Sequence, residues 1–168
     1  MRIKIVMEDD SMHFELVDTI EEFKNIEVMA SVIWPVTYKN ILSMEQIKYM
    51  LDKYLSVKAI EQSAKSGYTY IILKVDGNPI GFMAYEFKKD ILFLSKLYIQ
   101  PNHQKKGYSK KAIEYLLQFN LPIELTVNKY NTNAYEAYLH MGFKVTDSIV
   151  TDIGNGYVMD DYVMRLKK

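Results

Sequence analysis

The chain has 168 residues, 49% of them hydrophobic and 25% charged, with 21 basic and 21 acidic residues and a formal net charge of zero. That length and balance suit one domain with a proper core. Zero net charge gives no global field toward nucleic acid or a membrane surface, so any anion site must be local. The absence of cysteine excludes disulfides, thiolate metal sites and a cysteine nucleophile, and fits a reducing cytoplasm.

The opening MRIKIVMEDD holds too short an apolar stretch for a signal peptide and reads as either a short strand or a tail. No apolar run approaches the roughly 20 residues of a membrane span. MHFELV, Met12 to Val17, alternates loosely and predicts a strand. Thr19 with Glu22 is a capping-box pair that opens a helix. This helix is expected to stop near Ile33, because Pro35 removes a donor and disfavours helix at Trp34. Ser43 with Gln46 caps a second helix bearing Met44, Ile47, Met50 and Leu51. SVKAIEQSAKSG is a third, closed by Gly67 as a left-handed cap.

The period then changes. YTYIILKV, IGFMAYEF and ILFLSKLYI read as three strands joined by the turns DGNP and KKD. The third is mostly apolar, which predicts a central strand covered on both faces. Tyr108 to Asn120 forms a helix with Ala112, Ile113, Leu116 and Leu117 on one side. PIELTV is a strand, Thr132 to Met141 a helix ended by Gly142, and the GNG turn joins a closing hairpin. The order β-ααα-βββ-α-β-α-ββ predicts an α/β or α+β fold in three layers. Its sheet is mixed, antiparallel early, with a parallel crossover through the Tyr108 helix.

Between the third strand and the Tyr108 helix lies a loop with Lys105, Lys106 and Gly107, flanked by Lys110 and Lys111. The first amides of a helix lack internal acceptors and carry the positive dipole end, so such a loop can cradle phosphate oxygens. A helix entry with solvated lysines explains the same residues equally well. The pattern is not a P-loop, which needs two glycines bracketing four residues before Lys-Ser/Thr.

A second stretch separates those readings. Gln104-Lys-Lys-Gly107-Tyr108-Ser109 follows LYIQP, and Asn131, Ala134, Tyr138, Gly142 and Phe143 follow in the order Asn-x-x-Ala-x-x-x-Tyr-x-x-x-Gly-Phe. Together they resemble the signatures of the GCN5-related N-acetyltransferase (GNAT) superfamily. Ser109 departs from the usual Gly or Ala but stays small. The resemblance implies one N-acetyltransferase domain over residues 1–168, with a three-layer α/β/α fold and a mostly antiparallel sheet with a parallel central pair. It implies acetyl-CoA as cosubstrate, with Leu97, Tyr98 and Ile99 along its pantetheine arm. Gln104, Lys105, Lys106, Gly107, Tyr108 and Ser109 would lie around the pyrophosphate, and Asn131 would contact the cofactor. Tyr138 would be the catalytic acid near the sulfur, and a strand-end amide near Tyr98 or Ile99 the oxyanion donor.

Each assignment has a plainer counterpart. Leu97 and Ile99 suit core packing, Asn131 suits an N-cap, and Tyr138 suits an amphipathic core tyrosine. Glu86, Asp90, Glu124, Asp160 and Asp161 are candidates for a base, but the sequence identifies none of them and each fits a solvated surface carboxylate better. Asp160 and Asp161 point to opposite faces of a strand, so one is available to attract a cationic amine. His103 and His140 read as surface residues. The acceptor site is expected around Trp34 to Tyr38 and Gly154 to Met164. The implied reaction is direct acetyl transfer, through a ternary complex, to the primary amine of a small molecule, polyamine or peptide in the cytoplasm. No metal, nucleic acid or membrane is involved, and a homodimer could form through the closing hairpin. A non-catalytic acyl-CoA-binding module of the same fold is the alternative.

Overall fold

The structure, a computed structural model, describes residues 4–6 and 12–167. Its strands are β1 (Lys4–Val6), β2 (Met12–Val17), β3 (Thr69–Val75), β4 (Asn78–Lys88), β5 (Ile91–Ile99), β6 (Ile123–Asn128), β7 (Lys144–Gly154) and β8 (Tyr157–Leu166). Its helices are α1 (Ile20–Tyr38), α2 (Met44–Leu55), α3 (Val57–Lys65), α4 (Tyr108–Leu117) and α5 (Thr132–His140), and a 3₁₀ turn spans Pro101–His103. The strands form one sheet in the order β1-β2-β3-β4-β5-β6-β8-β7. Every pairing is antiparallel except β5 with β6.

The sheet separates two cores, which gives the three layers. One core packs Phe14, Met83, Leu92 and Leu125 against Ala112, Ile113 and Leu116 of α4, with Ala134 and Tyr138 of α5 beside it. The other packs Phe23, Ile33 and Trp34 of α1, Ile47 of α2 and Ile60 of α3 against Tyr70, Phe82 and Ala84. The opening segment contributes a strand at Lys4–Val6, paired with β2; residues 1–3 and 7–10 of that stretch lie outside the described residues.

The expected break before Pro35 does not occur. Helix α1 runs through Pro35 to Tyr38. A proline inside a helix costs about 3 kcal/mol, but burying a large apolar side chain returns about 1.5–3 kcal/mol each. Ile33, Trp34 and Tyr38 are all buried, and the Trp34 and Tyr38 rings meet edge-on with centroids 5.2 Å apart. Continuing the helix keeps these two rings four residues apart on one face.

The local signals for caps hold. Thr19 and Glu22 form the reciprocal capping box, and Ser43 accepts from the Gln46 amide. Gly67 lies at φ +119°, where Tyr68 N donates to Ser63 O and Gly67 N to Ala64 O, the two bonds of a Schellman ending. The closing hairpin turns on Asn155 and Gly156, both at positive φ.

The expectation that β5 is covered on both faces holds for one face only: Leu92 and Leu94 are buried in the α4-side core, while Ile91 and Phe93 on the other face are half-buried. Strand β5 pairs with β6 at Leu92, Phe93 and Leu94 alone, while its pairing with β4 continues to Ile99. Beyond Leu94 its residues are half-buried until Ile99. The register shift between Ala84 and Tyr85 places Ser95 out of pairing and bends β5 away from its neighbour.

Candidate active site

Where β5 and β6 part, a cleft of about 280 Å³ opens into the sheet, with α1, α2, α5 and the closing hairpin around it. Its β5 wall is Leu94 to Tyr98, and its β6 wall is Leu125 to Asn128. Gln100 N donates to Ile80 O on β4. By the alternation of an antiparallel ladder, the amides of Ile99 and Leu97 face away from β4, toward the side β6 vacates. The Ile99 carbonyl, on that same side, is taken by Gln104 Nε2 at 3.0 Å.

Of the residues expected along a pantetheine arm, Leu97 and Tyr98 line the cleft. Ile99 is buried in the α4-side core, and Leu97 packs on that core too, so packing and exposure of backbone coexist in one strand. Asn131 likewise holds both assignments. Its Oδ1 accepts from the Ala134 amide at 3.4 Å as the α5 cap, and it lines the cleft.

Tyr138 also lines the cleft, and the sequence around it explains how it is held. Gly142 at φ +102° ends α5 with Phe143 N donating to Tyr138 O and Gly142 N to Leu139 O. In such a Schellman ending the residue past the glycine packs on the residue five before it. That pair here is Phe143 and Tyr138, with ring centroids 5.3 Å apart. The Tyr-x-x-x-Gly-Phe spacing thus works as a device that fixes a phenol. Burial raises the Tyr138 phenol well above its ordinary range, so it keeps its proton at neutral pH.

The loop from Gln104 to Ser109 lies past the end of β5 and does not line the cleft. Gln104 to Gly107 are exposed, and Tyr108 and Ser109 half-buried. Lys105 and Gly107 lie at φ +61° and +82°. Gly107 occupies the N-cap position of α4, and no side chain caps that end. The first intrahelical bond arrives only at Lys111 N, to Gly107 O. The amides of residues 107–110 therefore have no acceptor within the helix, an arrangement that fits an anionic diphosphate.

On the α1 side of the cleft, the Tyr38 and Tyr98 hydroxyls lie 3.0 Å apart, and Trp34 packs on both rings. Burial pushes Tyr38 up to about 12, partly offset by the bond with Tyr98; Tyr98 is raised well above its ordinary value, by burial first and the charge interaction with Tyr38 next. Asp161 stands across from this pair. It is 9% exposed, lines the cleft, and its Oδ1 has no hydrogen-bond partner. Burial, then its neighbour Asp160, lifts its carboxyl to about 6.

The five carboxylates considered as a base now separate. Glu124 is held by Arg165 at 2.7 Å, Asp160 by Lys129 at 2.8 Å, and Glu86 lies 3.8 Å from Lys88. Asp90 is exposed in the β4–β5 turn. Asp161 alone among them lines the cleft, so the solvated-surface reading does not hold for it. His103 is half-buried and His140 exposed, and neither lines the cleft. Met50 and Tyr54 of α2 and Ile149 and Thr151 of β7 also line it. Nothing in their local sequence sets them apart; long-range folding brings them there. Lys96 is a further lining residue that the sequence hid inside a strand reading as apolar.

A three-layer mixed sheet, split between two parallel strands and with an uncapped helix end beyond the split, defines the acyl-CoA acetyltransferase class of folds. The Acetyltransferase (GNAT) domain model matches residues 38–166, and the chain belongs to that family. Peptidyl-lysine N-acetyltransferase YjaB of Salmonella typhimurium is 35% identical over 80 residues, 47% of this chain and 52% of the relative; the match thus spans about half the length of that curated protein. The PaiA N-acetyltransferase of Thermoplasma acidophilum, solved in complex with coenzyme A, superposes with a TM-score of 0.74 at 23% identity, over 92% of this chain and 99% of that one. A GCN5-related N-acetyltransferase of Rhodopseudomonas palustris gives a TM-score of 0.75 at 17% identity, over 98% and 99% of the two chains.

Proposed function

We propose that the chain, as a single domain over residues 1–168 in the cytoplasm, transfers an acetyl group from acetyl-CoA to a primary amine by direct attack. The observation that carries this reading is the parting of β5 from β6 after Leu94, with an uncapped α4 N-terminus at one end of the opened edge and Tyr138 beside it. Family membership and the peptidyl-lysine activity named for the relative support an amine acceptor.

In this reading acetyl-CoA supplies a thioester carbonyl to the cleft. Amides of Gln104 to Ser109 hold its diphosphate, and Leu97 and Ile99 offer backbone groups to its arm. Asn131, at the start of α5, lines the same cleft. The Ile99 amide faces the vacated side and suits a developing oxyanion better than the Tyr98 amide, which faces β4. Asp161 anchors the incoming ammonium and takes one proton from it, freeing the nitrogen lone pair for attack; the second proton leaves the nitrogen as the intermediate collapses and passes to the departing sulfur. Tyr138 stands by the departing sulfur. A free thiol titrates near ~8.5 and the Tyr138 phenol lies far above that. Full proton transfer from phenol to thiolate is therefore uphill, and Tyr138 contributes chiefly as a hydrogen-bond donor.

The test is thiol release from acetyl-CoA with the purified chain and a panel of amines, paired with a thermal shift on coenzyme A alone. Acetylated product and a coenzyme-dependent shift are expected. A shift without product from any amine leaves only a binding module, and no shift sinks the reading.

A further inference from the structure

Asp161 and Lys96 line the same cleft, yet they form no pair with each other. Lys96 Nζ reaches Ser95 Oγ at 3.1 Å and lies 5.9 Å from the centre of the Tyr68 ring. No carboxylate is among these contacts. A half-buried ammonium without an anionic partner is costly, and burial lowers Lys96 to about 8. Two opposite, unpaired charges in one cleft are what a substrate carrying both charges would complete.

The surroundings of Lys96 extend the point. A second cavity of about 390 Å³ adjoins the cleft, sharing Tyr54, Ser95 and Lys96 with it. Lys53, Gln62, Ser63 and Ser66 also line it, and no acidic residue does. Lys53 Nζ donates to the Ile153 carbonyl, which holds that second cation on the cavity wall. Ammonium, hydroxyl and amide groups on this lining suit a carboxylate or phosphate; Glu86, which interacts with the Tyr68 hydroxyl beside the lining, lies 3.8 Å from Lys88. A polycation would instead meet two lysines there.

We propose that the acceptor is a zwitterionic amine: its amino group docks at Asp161, and a carboxylate or phosphate carried on the same molecule docks at Lys96. This rests on the acetyltransferase reading above. The reaction stays balanced: the ammonium gives one proton to Asp161, the freed amine nitrogen bonds to the acetyl carbon, and the C–S bond breaks with its electron pair leaving on sulfur, which takes up the second proton lost by the nitrogen. The anion takes no part in these steps; it fixes the amine's position and selects the substrate.

The experiment compares matched acceptors on the whole chain. ω-Amino carboxylates of two to six carbons and ω-aminoalkyl phosphates are each set against the plain alkylamine of the same length and against spermidine. Short blocked peptides with lysine beside aspartate form another arm, separating a free small molecule from a peptide source. Acceptor binding is measured separately by calorimetry in the presence of coenzyme A. A charge-assisted contact predicts a preference of ~10-fold or more in kcat/KM for the best anionic acceptor. In Lys96→Met and Lys96→Gln that ratio should collapse toward one, and Lys96→Arg should retain it. Coenzyme A affinity should not follow the ratio. Spermidine or plain amines matching the best anionic acceptor would overturn the proposal, as would equal losses on all acceptors in Lys96→Met. Anion-dependent binding without turnover would uphold the site while sinking the acetyltransferase reading; absence of both preference and binding would sink the proposal itself.

Discussion

The Tyr38 hydroxyl lies 3.0 Å from the Tyr98 hydroxyl, tying the last turn of α1 to the edge strand of the cleft. Each phenol is buried enough for its proton to be held well past neutrality. Removing one hydroxyl strands the other. Tyr38→Phe and Tyr98→Phe should each cost about 1–3 kcal/mol. The double variant should cost less than the sum, because the second deletion removes the orphan. Urea denaturation of the four proteins measures the coupling, and strict additivity would show that the bond contributes nothing.

Tyr138→Phe keeps the ring contact with Phe143 and loses only the hydroxyl. Turnover should fall by about 10²-fold, as for the loss of one hydrogen-bond donor to developing charge. Coenzyme A affinity should stay unchanged. Steady-state thiol release and calorimetry check both halves, and a wild-type rate removes Tyr138 from the chemistry.

Asp161 links activity to pH. Its carboxyl is raised to about 6, above the ~3.9 of an unfolded chain. As pH falls through 6 the group protonates in the folded protein, and amine acetylation should fall with it. Asp161→Asn should be slow throughout and lack that acidic limb. Stability runs the other way. A raised carboxyl destabilises the fold where it is ionised, so wild type gains stability as pH drops from 7 toward 4. Asp161→Asn should therefore be more stable than wild type at pH 7, by on the order of 1–3 kcal/mol, with the gap closing near pH 4. Thermal denaturation across that range would expose a gap that fails to close.

Gly81 shows how closely β4 must approach β5. A Cβ there would run into the Tyr98 carbonyl oxygen and sit 3.1 Å from Ile99 Cα, both backbone atoms that cannot step aside. Gly81→Ala should cost about 1–3 kcal/mol or more and should weaken coenzyme A binding by moving β5. A stable variant with normal binding would contradict this.

Gly107 is the opposite case. A Cβ there meets nothing within 4 Å, and the left-handed φ of +82° is the only obstacle. Gly107→Ala should lose only about 1–2 kcal/mol in stability. The larger effect should be on coenzyme A affinity, since the loop amides would turn. Comparing the melting temperature with the coenzyme dissociation constant separates the two effects.

The sequence by itself determined the caps, turns and motif geometry. Thr19 with Glu22, Ser43 with Gln46, Gly67, Asn155-Gly156 and Gly142-Phe143 each act within a few residues, so their chemistry is readable from neighbours alone. The order of elements along the chain and the layers followed from the change of hydrophobic period. The tertiary structure alone decided that α1 passes through Pro35, because only the packed core supplies the burial that outweighs a lost hydrogen bond. It also decided which carboxylate matters. Asp160 and Asp161 are identical in sequence, and the pleat of β8 sends one to Lys129 and the other into the cleft. Lys96 is the same lesson: an ammonium's neighbours come from α3, β5 and the closing hairpin, and no local pattern can report on groups so far apart along the chain.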